Sequence, residues 1–211
     1  MSWIHRRGLY AIVDPEHCAG RDPMRVARAI LDGGCALLQL RAKGLPDGAW
    51  LGLARDLRTL CASRSVPFVL NDRADLAWLA GADGVHLGQD DLDVPDVRRI
   101  VGPDVSIGLS THDEDQAAQA VAAGADLIGF GPIWTTRTKE RPDPVVGLER
   151  LAAVARTTPL PVVAIGGLTV DRALEASRAG ATFVAAISAL CAAEDPTEAA
   201  RAFHRAAKGT V

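Results

Sequence analysis

The sequence predicts a closed (β/α)8 barrel, an α/β fold of the TIM type, formed by residues 1–211 as one domain. Three observations carry this expectation. Short apolar runs alternate strictly with longer amphipathic ones, eight of each, and such alternation implies parallel strands with helices outside. Polar residues follow almost every apolar run, and barrels of this kind hold their active sites at the carboxyl ends of the strands. A weak repeat, Gly34-Cys35-Ala36, Gly81-Ala82-Asp83, Gly124-Ala125-Asp126 and Gly180-Ala181-Thr182, stands between a helix and the next strand each time. Glycine just past a helix end adopts the left-handed turn that residues with a β-carbon resist.

Taken in order, the first strand is expected at 9–13 and its helix at 22–32. The second strand, 37–40, runs into Gln39-Leu40-Arg41-Ala42-Lys43, and its helix, 47–63, starts behind Pro46. The third, 67–70, ends in Asn71-Asp72-Arg73 before a helix at 73–80. The fourth, 84–87, leads through His86 and Leu87 to Asp90-Asp91, with Pro95 near the start of the helix at 94–101. The fifth, 105–109, ends in Ser110-Thr111-His112 ahead of a helix at 113–123. The sixth, 126–129, opens into a loop rich in hydroxyls and cations that reaches Lys139, and its helix lies at 147–156. The seventh, 161–165, ends in Gly166-Gly167 before a helix at 170–179. The eighth, 182–186, ends in Ile187-Ser188 before a helix at 196–207. A doubly wound open sheet would place a Gly-rich fingerprint after its first strand; the residues there are Asp14-Pro15-Glu16-His17.

Composition narrows the function. The 211 residues are 48% hydrophobic and 23% charged, which suits a sizeable core. A net charge of −3 supplies no basic field for nucleic acid, so any anion must be held by a few local cations. The four cysteines are scattered without a Cys-x-x-Cys pair and read as small buried residues of a reducing compartment. No stretch reaches the roughly 18 apolar residues of a membrane span, and the first residues lack the long apolar stretch of a signal peptide, so the expected location is cytoplasmic. Small molecules are the expected partners, and a homodimer is left open.

Alternate strand residues share a face, so Gln39, Arg41 and Lys43 are expected to project together. They read as a diphosphate clamp or as a salt bridge at the barrel rim. Asn71-Asp72 and Asp90-Asp91 end neighbouring strands. Carboxylates brought that close repel unless a cation lies between them, and oxygen ligands beside a phosphate clamp suit Mg2+. Spacing does not separate Asp90 from Asp91, and an Asp-Asp pair also reads as a helix cap. Gly166-Gly167 and Ile187-Ser188 form a second expected anion site, on backbone N–H groups. His86 reads as a hydrogen-bonded barrel residue, and His5, His17 and His204 as surface residues.

Together these motifs resemble the thiamine phosphate synthase family: Gln-Leu-Arg-x-Lys, Asn-Asp-Arg, Gly-Val-His-Leu-Gly-Gln-x-Asp, Gly-x-Ser-Thr-His, Gly-Phe-Gly-Pro-Ile, Thr-x-Thr-Lys and Ala-Ile-Gly-Gly. The likeness runs from Leu9 to Ser188. It implies a barrel that joins hydroxymethylpyrimidine diphosphate to a thiazole phosphate and releases diphosphate through a carbocation, assisted by Mg2+. Carried over by position, Gln39 and Asn71 contact the pyrimidine, and Arg41, Lys43 and Lys139 hold the diphosphate. Asp72 and Asp91 hold the metal, and Ser110 faces the reacting portion. Thr136, Thr138, Gly167, Ile187 and Ser188 bind the thiazole phosphate. Arg41, Lys43, Ser110 and Lys139 are then the catalytic set. Arg137 departs from the family pattern, adding a cation to the loop. The alternatives are a thiazole tautomerase or another phosphate-binding barrel isomerase, and a non-catalytic binder of thiamine precursors.

Overall fold

The computed structural model describes residues 3–136 and 143–210. Eight parallel strands close into a barrel in sequence order, with β8 hydrogen-bonded to β1. They are β1 Gly8–Val13, β2 Leu37–Leu40, β3 Phe68–Asn71, β4 Gly84–Leu87, β5 Ser106–Thr111, β6 Leu127–Phe130, β7 Val162–Ile165 and β8 Phe183–Ala186. The helices are α1 Pro23–Gly33, α2 Asp47–Ser63, α3 Ala74–Ala80, α4 Val94–Val101, α5 Glu114–Ala122, α6 Gly147–Thr157, α7 Val170–Arg178, α8 Ser188–Cys191 and α9 Pro196–Ala207. The expected barrel is thus present, with two differences of note. The fifth strand runs past 109 to Thr111, because Ser110 and Thr111 pair with Gly129 and Phe130. A four-residue helix, α8, follows β8 directly; one turn is too short to show a helical period.

The strands are buried on both faces, as parallel strands under a helical shell must be. Along β1, Tyr10 and Ile12 join Leu37, Val69, Val163 and Phe183 in the barrel interior, which Trp3 closes below. Leu9, Ala11 and Val13 face the helices. Emptying one such site, as in Phe183→Ala, costs about 3–5 kcal/mol.

The repeat seen in the sequence proves to be a bottom-rim device. Gly81 ends α3 in the left-handed conformation (φ 65°, ψ 38°). Two residues on, Asp83 accepts the Phe68 N–H at 2.8 Å and pairs with Arg58 of α2. Asp126 repeats this with the Ile107 N–H at 2.7 Å and Arg98 of α4. These acids tie strand starts to helices and stand away from the carboxyl-end rim.

His204 is half-buried rather than at the surface. From α9 its Nδ1 accepts the Leu9 N–H at 3.2 Å, and it occupies the space over Gly8, where an added β-carbon would meet its ring at 2.6 Å. Among the described residues, no helix is long and apolar enough to cross a membrane.

Candidate active site

A cleft of about 470 Å3 opens at the carboxyl ends of the strands, within the size range of small-molecule sites. The sequence-predicted residues Gln39, Arg41, Asn71 and Ser110 line one part of it. Thr136, Gly167, Ile187 and Ser188 line another. Thr138 and Lys139, like Arg137, lie outside the described residues.

Gln39 is buried on β2 and its Nε2 donates to the Tyr10 hydroxyl at 2.9 Å. Burial pushes the Tyr10 phenol far up from its ordinary value, against the opposing effect of the Gln39 bond, so Tyr10 stays neutral. It fixes the amide while leaving that amide a second N–H and a carbonyl to offer a ligand. Arg41 follows β2 and pairs through Nη1 with Asp14, which is wholly buried at the end of β1. The rim salt bridge and the cleft-facing guanidinium are therefore one arrangement, because arginine carries five N–H donors. Lys43 departs from the expected alternation. The strand has ended at Leu40, and Lys43 turns instead to Asp72, at 2.9 Å.

Asp72 sits immediately after β3 with φ +62°, a left-handed conformation that non-glycine residues rarely take and that clusters at functional sites. Its N–H donates to the His86 carbonyl at 2.8 Å, which fixes the turn. Asp91 lies near enough for its charge to act on this carboxyl. Asp91, not Asp90, is thus the second acid here, and its Oδ2 accepts the Gly88 N–H at 2.6 Å. Burial raises the Asp72 pKa above its ordinary 3.8; Lys43 opposes this and the Asp91 charge adds to it. The pair has the property that motivated the metal reading: two oxygen-donor acids pressed together, served by one half-exposed lysine. Among the described residues no group of three or more His, Cys, Asp or Glu side chains is placed to hold a metal. A two-carboxylate site suits Mg2+, which keeps several waters and uses substrate phosphates.

Ser110 lies across the cleft on β5, its Oγ 3.1 Å from His86 Nε2. The His86 ring occupies room left by two strand glycines: a β-carbon on Gly108 would lie 2.4 Å from it, and one on Gly129 at 3.1 Å. It meets Tyr10 edge-on at 6.3 Å. His86 lines the cleft, and Gly108 on β5 and Gly129 on β6 were the signal for its place there.

The hydroxyl-rich loop after β6 is strapped to the end of β7. Ile133 N–H donates to the Ile165 carbonyl at 2.9 Å and Trp134 N–H to the Gly166 carbonyl at 3.1 Å. Both glycines have positive φ, and a β-carbon on Gly166 would meet Pro132 at 2.5 Å. The Gly-Gly pair therefore permits close approach of the β6 loop, whereas the sequence reading assigns its open backbone to a bound anion. Arg172 of α7, absent from that reading, stacks over Trp134 at 5.2 Å and donates to the Gly167 carbonyl at 2.7 Å. His17 and His112 also line the cleft, and His17 is partly buried there. Asp14, which the sequence shows only as an acid before proline, caps the turn after β1 as well as pairing with Arg41. Its Oδ1 accepts the Glu16 N–H at 3.1 Å.

Fold and site together define a (β/α)8-barrel enzyme with its cleft at the carboxyl ends of the strands. Residues 9–190 match the family model described as thiamine monophosphate synthase. The chain is 50% identical over 193 residues to a thiamine-phosphate synthase of Anaeromyxobacter dehalogenans, covering 92% of this chain and 84% of that one. It is 45% identical over 194 residues to one of Laribacter hongkongensis, covering 92% of each. A thiamine phosphate pyrophosphorylase from Pyrococcus furiosus superposes with a TM-score of 0.89 at 30% identity, over 98% of both chains. The chain belongs to the thiamine monophosphate synthase family. It is a transferase of thiamine biosynthesis.

Proposed function

We propose that the cleft joins hydroxymethylpyrimidine diphosphate to a thiazole phosphate, giving thiamine phosphate and diphosphate. The observation that carries this reading is the gathering, in one cleft, of Gln39, Arg41, Asn71 and Ser110 with Gly167, Ile187 and Ser188, beside the Asp72–Asp91 pair. The bond from the pyrimidine methylene carbon to the diphosphate oxygen breaks first, and the oxygen keeps the electron pair. The thiazole nitrogen then gives its lone pair to the resulting carbocation. Such a reaction asks for charge neutralisation and exclusion of water more than for an acid and a base.

Gln39 and Asn71 orient the pyrimidine. Arg41, Lys43 and Lys139 neutralise the departing diphosphate, Arg41 as a fork and the lysines as point charges. Ser110, held by His86, lies against the reacting portion. Thr136, Thr138, Gly167, Ile187 and Ser188 hold the thiazole phosphate so that its nitrogen waits within reach. Asp72 and Asp91 would hold Mg2+, which when bound lowers the charge cost of diphosphate departure.

The test follows diphosphate release with each substrate alone, with both, and with both plus chelator. Release that needs both substrates and Mg2+ is expected, with thiamine phosphate as the other product. Turnover of a thiazole phosphate alone, indifferent to chelator, would instead establish an isomerase. Binding of both ligands without product would establish a binder.

A further inference from the structure

We infer that Asp14 is a positioning residue that presents the Arg41 guanidinium to the diphosphate end of the cleft. The inference rests on the diphosphate reading above and extends it to a residue that does not itself line the cavity.

Asp14 is a wholly buried acid at the end of β1, a place where an unpaired carboxylate is strongly disfavoured. Its two oxygens do different things. Oδ1 accepts the Glu16 N–H and shapes the turn after the strand. Oδ2 faces the site, meeting Arg41 Nη1 and lying 3.3 Å from His17 Nδ1. Both of those side chains line the cleft. The backbone is tied as well: Arg41 N–H donates to the Val13 carbonyl at 2.9 Å, and His17 N–H to the Asp14 carbonyl at 2.9 Å.

One carboxylate thus holds the Arg41 guanidinium and lies beside the His17 imidazole, side chains from two different βα loops. Arginine loses much rotamer freedom when it binds an anion, and a guanidinium already fixed loses less. The pairing uses one of its five N–H donors, so the fork toward the ligand is kept. A turn cap alone would need only Oδ1, which Asn supplies equally well. The Asp14→Asn variant therefore keeps the cap and removes the charge.

The measurement is steady-state kinetics with each substrate varied in turn, alongside thermal melting, for wild type, Asp14→Asn, Arg41→Lys and the double variant. Asp14→Asn is expected to raise KM for the pyrimidine diphosphate about 10- to 100-fold and to leave KM for the thiazole phosphate unchanged. In the Arg41→Lys background the same change is expected to matter much less, because Asp14 acts through that guanidinium. Unchanged KM for the diphosphate substrate, or an equal effect in both backgrounds, overturns the inference. So does a parallel rise in both KM values with a lower melting temperature, the signature of a purely structural role. Arg41→Lys behaving like wild type would overturn the diphosphate reading itself. Should Asp14→Asn not fold, Asp14→Glu is read instead: it keeps the charge but shifts it by a methylene. A selective rise in KM for the diphosphate substrate then supports the inference, and an unchanged value overturns it.

Discussion

Replacing Asp72 by asparagine removes one negative charge from the Asp72–Asp91 pair with almost no change of shape. The fold should barely notice. Asparagine tolerates the left-handed conformation that residue 72 occupies at φ +62°. The ion pair that is lost ends on Lys43, whose side chain is 54% exposed, and pairs of that kind are worth about 0–1 kcal/mol. Against that loss, neutralisation relieves the burial penalty and the repulsion from Asp91 that raise the Asp72 pKa. The two effects oppose each other, so the net change in stability stays within about 1 kcal/mol, or about 2–4 °C in melting temperature for a chain this size. Activity should respond very differently. Loss of one charged oxygen ligand beside a departing diphosphate is expected to cost at least about 100-fold in turnover, or about 2.7 kcal/mol of barrier. The Mg2+ concentration for half-maximal rate should rise as well. The assay is diphosphate release against Mg2+ concentration, with melting curves on the same samples. Near wild-type turnover at the same Mg2+ requirement would refute the metal assignment, and a large drop in melting temperature would refute the claim that Asp72 serves the site and not the fold.

Three other outcomes are expected. Gly166→Ala forces a β-carbon to 2.5 Å from Pro132 at a residue with φ +100°, which should part the strap between the β6 and β7 loops; KM for the thiazole phosphate should rise while that for the pyrimidine diphosphate stays, and an unchanged thiazole KM would refute the role given to the strap. Chelation should stop diphosphate release and added Mg2+ should restore it, with the melting temperature of the ligand-free protein unaltered, because the acidic pair lies at the rim and not in the core. His204 bears on pH. Burial first, and then the Lys208 charge, hold its imidazole below the ordinary 6.5, so below that pH the unfolded chain binds more protons than the folded one. Stability is therefore whole above about pH 6.5 and falls as acid takes the pH down through the folded value. Urea midpoints measured at about pH 7.5 and about pH 5 should differ more for wild type than for His204→Gln, and equal differences would show that His204 carries no such linkage.

The barrel was legible because each strand is a short apolar run and each run ends in polar residues with no core role. The same contrast located Gln39, Arg41, Asn71 and Ser110, whose side chains meet in the cleft. What stayed hidden depends on partners distant in sequence. Asp14 is an acid before proline with no sign in the local sequence of the Arg41 that lies against it. His86 looks like an ordinary barrel histidine until Gly108 and Gly129 are seen to make room for its ring. Asp90 and Asp91 are equivalent by spacing, and only the family resemblance tells them apart in the sequence; the turn at Gly88, whose N–H bonds the Asp91 carboxylate, distinguishes them in the fold. Lys43 shows the opposite limit. A period of two holds only while the chain is a strand, and β2 stops three residues before it.

The seam between β1 and β8 joins the earliest and latest parts of the chain, with Leu9 opposite Val184. Helix α9 lies over that seam, packing on α1, α7 and β1, and reaches Leu9 through His204. A nascent chain therefore carries a first strand that is paired with β2 on one side and open on the other until β8 has been made. The part of the cleft formed by Ile187 and Ser188 does not exist before then. The unclosed sheet meanwhile exposes apolar edges of the kind that chaperones bind.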